Sequence, residues 1–111
     1  MMPMPNKIIY EFAREVKDIL GVNLSKIILF GSYARGDYTE FSDIDMMILV
    51  RLSDDEIRAI RDVISDCAFE YLMKYKVDIS PVIINDVHFN YWVDSLLFYK
   101  NVREEGVELV A

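Results

Sequence analysis

The chain has 111 residues, 53% of them hydrophobic and 28% charged, which suits a single domain, 1–111, with one core and leaves too little for two. Cys67 is its only cysteine, so an internal disulfide and a cysteine-cluster metal site are excluded. A net charge of −7 repels a phosphate backbone and disfavours direct nucleic-acid binding, although a nucleotide can still bind where a metal supplies positive charge.

No apolar run approaches the roughly 20 residues of a membrane helix. The opening MMPMPNK has no apolar core behind its lysine, as an export signal would need. A cytoplasmic protein without membrane contact is expected. The acidic surface would also attract a basic partner.

Ile8, Phe12, Val16, Ile19 and Leu20 recur at helical spacing after Asn6, and Gly21 is placed to end that helix. KIILF (26–30) is a continuous apolar run and reads as a buried strand ending at Gly31. Ser32 to Arg35 reads as a short helical turn. DIDMMILV (43–50) is a second strand, polar at its start and apolar afterwards, with Met46 and Met47 as core filler. Ser53 and Glu56 form a capping-box pattern ahead of the stripe Ile57, Ile60, Ile64, Cys67, Ala68, Tyr71 and Leu72. KVDISPVII (76–84) is a third strand, and Pro81 within it predicts an edge position or a bulge. Asn85 or Asp86 caps a last helix that runs to Gly106, with Val93, Leu96, Leu97 and Val102 inside, and VELV adds a short terminal strand. The order α-β-β-α-β-α predicts an α/β (α+β) fold, helices packed on a small mixed sheet.

Residues two apart on a strand share a face. Asp43 and Asp45 therefore project together while Ile44 enters the core, and Asp78 joins them if its strand is the neighbour. Unit charges about 4 Å apart repel by roughly 4 kcal/mol at an effective dielectric near 20, so such a group must take up protons or hold a cation. Oxygen donors without a nearby histidine or cysteine favour Mg²⁺, or Mn²⁺, over zinc. Across from them, Gly31 allows close approach to the backbone, N–H groups at the start of the turn suit an anion, and the Ser32 hydroxyl adds a donor. Arg35 either contacts phosphate or braces Asp37 or Glu40 in the acidic loop.

The joint pattern G-S-x-x-R-G, a short loop, then S-D-x-D opening an apolar strand closely resembles the nucleotidyltransferases of the DNA polymerase β superfamily. In particular it resembles the minimal nucleotidyltransferases, the antitoxin halves of HEPN–MNT toxin–antitoxin pairs, over nearly the whole chain. The resemblance implies the polymerase-β-like fold, a phosphate-holding turn at Gly31 and Ser32, a metal pair at Asp43 and Asp45, and a third catalytic carboxylate at Asp78. It also implies two Mg²⁺ ions, ATP as donor and a tyrosine of a HEPN-domain toxin as acceptor.

A rival reading is an antitoxin that neutralises its toxin by covering it, with no chemistry. The intact motif argues against it, because a binding-only protein has no need of clustered carboxylates. Transfer to a small molecule or to RNA ends ranks lower, since no residues remain to grip such an acceptor. His88 reads as a surface or capping residue. Phe89, Tyr91, Trp92, Phe98 and Tyr99 are too many for one inner helix face, and the surplus suggests a docking patch for a partner. A homo-oligomer is left open.

Overall fold

The computed structural model describes residues 5–109, so most of MMPMPNK and the last two residues lie outside the described part. Four strands form one mixed sheet in the order β3-β2-β1-β4: β1 (Leu24–Phe30), β2 (Ile44–Val50), β3 (Ile79–Asn85) and β4 (Val107–Leu109). β1 runs antiparallel to β2 and β4, whereas β3 lies parallel to β2 at the sheet edge. Pro81 thus sits on an edge strand, where its missing N–H costs least.

Helices cover both faces. α1 (Pro5–Leu20) and α3 (Asp54–Tyr75) lie on one side, where Phe12, Val16 and Ile64 pack on Ile27, Ile44, Met46, Ile48 and Val50. α4 (Asp86–Trp92) and α5 (Leu97–Glu105) lie on the other, where Phe89, Val93, Tyr99 and Val102 meet Ile28, Met47 and Leu49. Double coverage explains why β2 is apolar at every position past Asp45. Met46 and Met47 are both fully buried, one in each layer.

Local signals hold at several element ends. Ser53 Oγ accepts from the Glu56 N–H while the Ser53 N–H donates to the Glu56 carboxylate, completing the capping box. Asn85, and not Asp86, caps α4 through the His88 N–H. A four-residue turn, α2 (Ser32–Arg35), follows β1 as expected.

Three expectations need correction. The single last helix is broken into α4 and α5, and Leu96 and Leu97 at the break are exposed, 41% and 72%. Val93 and Val102 face inward as expected, but Phe89 and Tyr99 complete that face in place of the two leucines, because the chain must turn at 93–96 to keep those residues on the sheet. The third strand starts at Ile79 and not at 76: Lys76, in the left-handed conformation at φ 59°, closes α3 and cannot begin an extended segment. Ile19 lies on the solvent side of α1.

Between α1 and α3, Cys67 Sγ donates to Glu15 Oε2 at 2.8 Å. Burial, together with the Glu15 carboxylate, pushes the thiol up to about 12, so Cys67 is no nucleophile at neutral pH. The Tyr71 hydroxyl is buried beside it without a hydrogen-bond partner among the described residues. Tyr71→Phe keeps the edge-on ring contact with Phe12, centroids 5.4 Å apart, and removes only that orphan donor. It is expected to leave the denaturation midpoint unchanged or raise stability by up to about 1 kcal/mol; a clear loss would reveal a hydrogen bond the geometry does not have.

Candidate active site

β1 delivers the turn and β2 the carboxylate. Phe30 is the cross-strand partner of Asp45, so the residues after Phe30 leave the sheet directly above that side chain. Alternation along β2 sends Ile44 and Met46 into the α1–α3 layer and turns Asp45 toward α5. Gly31 then takes φ 73°, ψ −153° at the start of α2, a backbone conformation that L side chains rarely adopt. A Cβ on Gly31 would stand 2.5 Å from Asp45 Oδ2. Glycine is required here twice over, for the bend and for the carboxylate that the bend faces.

The Gly31 carbonyl accepts from the N–H groups of Ala34 and Arg35, which directs the earlier N–H groups of the turn outward. Asp45 and the turn border a hollow of about 400 Å³ with Ser32, Arg35, Phe98 and Glu105. Burial, then the neighbouring Asp43 charge, hold the Asp45 carboxyl above the ordinary carboxylate range, and Arg35 partly opposes them. Asp43 itself is exposed.

Arg35 braces the loop. Its Nε donates to Asp37 Oδ2 at 3.3 Å, and its Nη1 lies 3.6 Å from Glu105 Oε2. Glu40, the other candidate partner, is not part of these pairs.

Asp78 precedes β3. Its carbonyl accepts the Ile44 N–H at 2.8 Å, and the pairing of Ile44 with Ile79 puts Asp78 level with Asp43. By alternation, Asp78 shares the Asp45 face at the sheet margin. The Asp78 residue is exposed and borders another recess, with Phe69 and Leu72 of α3. Among the described residues, no three Asp, Glu, His or Cys side chains stand close enough to hold an ion. The fold brings together Asp43, Asp45, Gly31, Ser32 and Arg35, and places Asp78 one strand away without closing the trio.

The Asp43–Asp45 pair nevertheless suits a hard divalent cation. Both are oxygen donors, and positive charge placed there would relieve the burial and Asp43 repulsion that raise the Asp45 carboxyl. Sequence reasoning missed the α5 wall, Phe98, Asn101 and Glu105. Only Gly106 carried a usable signal. A Cβ there would collide with the Val102 carbonyl and the Ile28 side chain, so the end of α5 can lie against β1 only because residue 106 is glycine.

Comparison with known proteins agrees with this geometry. The family model for the nucleotidyltransferase domain matches residues 9–107. Two proteins of Methanocaldococcus jannaschii, each named "Putative protein adenylyltransferase", are 41% and 39% identical; the alignments cover 90% and 93% of this chain and 92% and 96% of theirs. Among solved structures, a toxin–antitoxin crystallised with AMP-PNP superposes with TM-score 0.57 at 20% identity, over 91% of this chain and 72% of that one. A second, the toxin–antitoxin MntA-HpeT with two aspartates changed to glutamate, gives TM-score 0.55 at 18% identity, over 97% and 74%. These likenesses support the polymerase-β-like fold expected from the sequence. Strand-delivered carboxylates facing a glycine–serine bend, and kinship along nearly the full chain, lead to one assignment: the chain belongs to the nucleotidyltransferase domain family and is a nucleotidyltransferase.

Proposed function

We propose that the protein transfers AMP from ATP, with Mg²⁺, to a tyrosine hydroxyl of a cognate HEPN-domain toxin and so acts as its antitoxin. The observation that carries this reading is the placement of Asp45 beneath the Gly31–Ser32 bend, with Asp43 alongside. Relatives named as adenylyltransferases and structural neighbours that are toxin–antitoxin assemblies support it.

Asp43 and Asp45 would hold the divalent ions, with Asp78 completing the set by rotation from its place at the head of β3. The ions supply Lewis acidity at the phosphorus centre. The Ser32 hydroxyl and the outward N–H groups of the bend hold the β- and γ-phosphates. Asp78 accepts the proton of the acceptor hydroxyl as its oxygen bonds to the α-phosphorus. The bond from that phosphorus to the bridging oxygen breaks on the opposite side, and pyrophosphate leaves.

In this reading Arg35 moves from Asp37 and Glu105 to phosphate. Both pairs are solvent-exposed and therefore weak, so the exchange is inexpensive. Arg35→Gln is expected to lower transfer about tenfold with little change in melting temperature; an unchanged rate would confine Arg35 to bracing the loop.

The test is direct. Purified protein, labelled ATP and Mg²⁺ are incubated with and without the toxin encoded beside it, and label is followed into protein. Labelling of a toxin tyrosine supports the proposal. Neutralisation by a protein that never transfers label would establish the alternative, inhibition by covering alone.

A further inference from the structure

A second recess lies at the far end of the sheet. Asn85 at its floor pairs in register with Val50, five residues along β2 from Asp45, roughly 16 Å away at about 3.3 Å per residue. The recess measures about 300 Å³ and gathers Arg58 and Arg61 from α3, His88 from α4 and Tyr99 from α5. A chain of net charge −7 thus brings two guanidinium groups and its single histidine to one hollow.

The frame is rigid and the cations are available. Asn85 Oδ1 accepts the His88 N–H at 2.9 Å and its Nδ2 donates to the Leu52 carbonyl at 2.8 Å, which fixes the start of α4. Tyr99 Oη lies 3.1 Å from His88 Nδ1. That contact engages Nδ1 and orients the ring, leaving Nε2 outside the Tyr99 contact. Arg61 has no ion-pair partner among the described residues. Arg58 has only Asp55, at 3.4 Å between well-exposed side chains, a pair weak enough for a dianion to displace. Asp54 in the lining and Asp86 nearby on α4 oppose an anion, but the lining holds two arginines against that one acid.

We propose that this recess binds a phosphate-bearing ligand through Arg58, Arg61 and His88, separately from the nucleotide at Asp45. Two planar guanidinium forks and an imidazole N–H match the several oxygens of a phosphate dianion better than the two of a carboxylate. Free phosphate and a nucleotide monophosphate share this chemistry. α5 borders both hollows, with Tyr99 in this one and Phe98 and Glu105 in the other, so an occupant here touches a helix of the catalytic wall.

The lone histidine makes the test local. Tag-free protein without divalent ions is titrated with inorganic phosphate, AMP or succinate at constant pH and ionic strength, and the His88 ring C–H resonances are followed by NMR. Saturable shifts with phosphate or AMP are expected, the tighter of the two naming the source, and none with succinate. The double variant Arg58→Gln/Arg61→Gln, both sites being exposed, should bind at least about tenfold more weakly, while Asp45→Asn binds as wild type does. Equal, unsaturating drift with all three anions, or saturation unchanged in the double variant, overturns the proposal.

Discussion

Asp45→Asn is expected to abolish transfer, by a factor of about 1000 or more in kcat, equivalent to about 4 kcal/mol of transition-state stabilisation, and to leave the fold intact. The amide keeps the shape of the carboxylate but neither its charge nor its affinity for a divalent ion. Stability should move the opposite way. Burial and Asp43 raise the Asp45 carboxyl above its ordinary value, so the folded state holds that proton more tightly than the unfolded chain does. The stability of the wild type therefore rises as pH falls through the folded-state value, and the cost of ionisation is fully present above it. In chelator at neutral pH the variant should melt a few degrees higher, a gain of under about 1 kcal/mol given the partial exposure. The gap should close on acidification. Thermal melts across pH beside a label-transfer assay read both effects; transfer within tenfold of wild type would remove Asp45 from the chemistry.

Gly31→Ala is the second large effect. The added Cβ would lie 2.5 Å from Asp45 Oδ2 and 3.4 Å from its Cγ, so either the carboxylate or the bend must move. The backbone at φ 73°, ψ −153°, a region open essentially to glycine alone, adds roughly 1–3 kcal/mol for any L side chain. A total loss near 2 kcal/mol and a fall of about 100-fold in transfer are expected. A double-mutant cycle with Asp45→Ala separates the causes. With the carboxylate gone, only the backbone cost should remain, so the two changes should cost less together than their sum. Strict additivity would mean that the bend and Asp45 do not meet.

The two variants also separate the rival functions. A protein that only covers its toxin should neutralise it equally well with Asp45→Asn, whereas a transferase should lose neutralisation together with label, except for what binding alone supplies.

Patterns that act through neighbours in the chain were legible before the fold was known. Helical spacing around Phe12, the Ser53–Glu56 box, the apolar β2 and the edge position implied by Pro81 all arise from forces within one or two turns of chain. The Gly31–Ser32 bend and the Asp43–Asp45 pair were legible through their joint motif, and residues 31–43 connect two adjacent antiparallel strands, which brings the facing ends together. What required the tertiary structure came from distant segments. Sixty residues separate Asp45 from Glu105, and only the pairing of β4 with β1 and the close approach at Gly106 bring α5 over the hollow. The break between α4 and α5 was hidden because the sequence there reads as continuous amphipathic helix, and the sheet, not propensity, selects which apolar residues turn inward. Arg58 and Arg61 on α3 meet His88 on α4 only through the way α3 crosses from β2 to β3, a choice made by packing across the whole core.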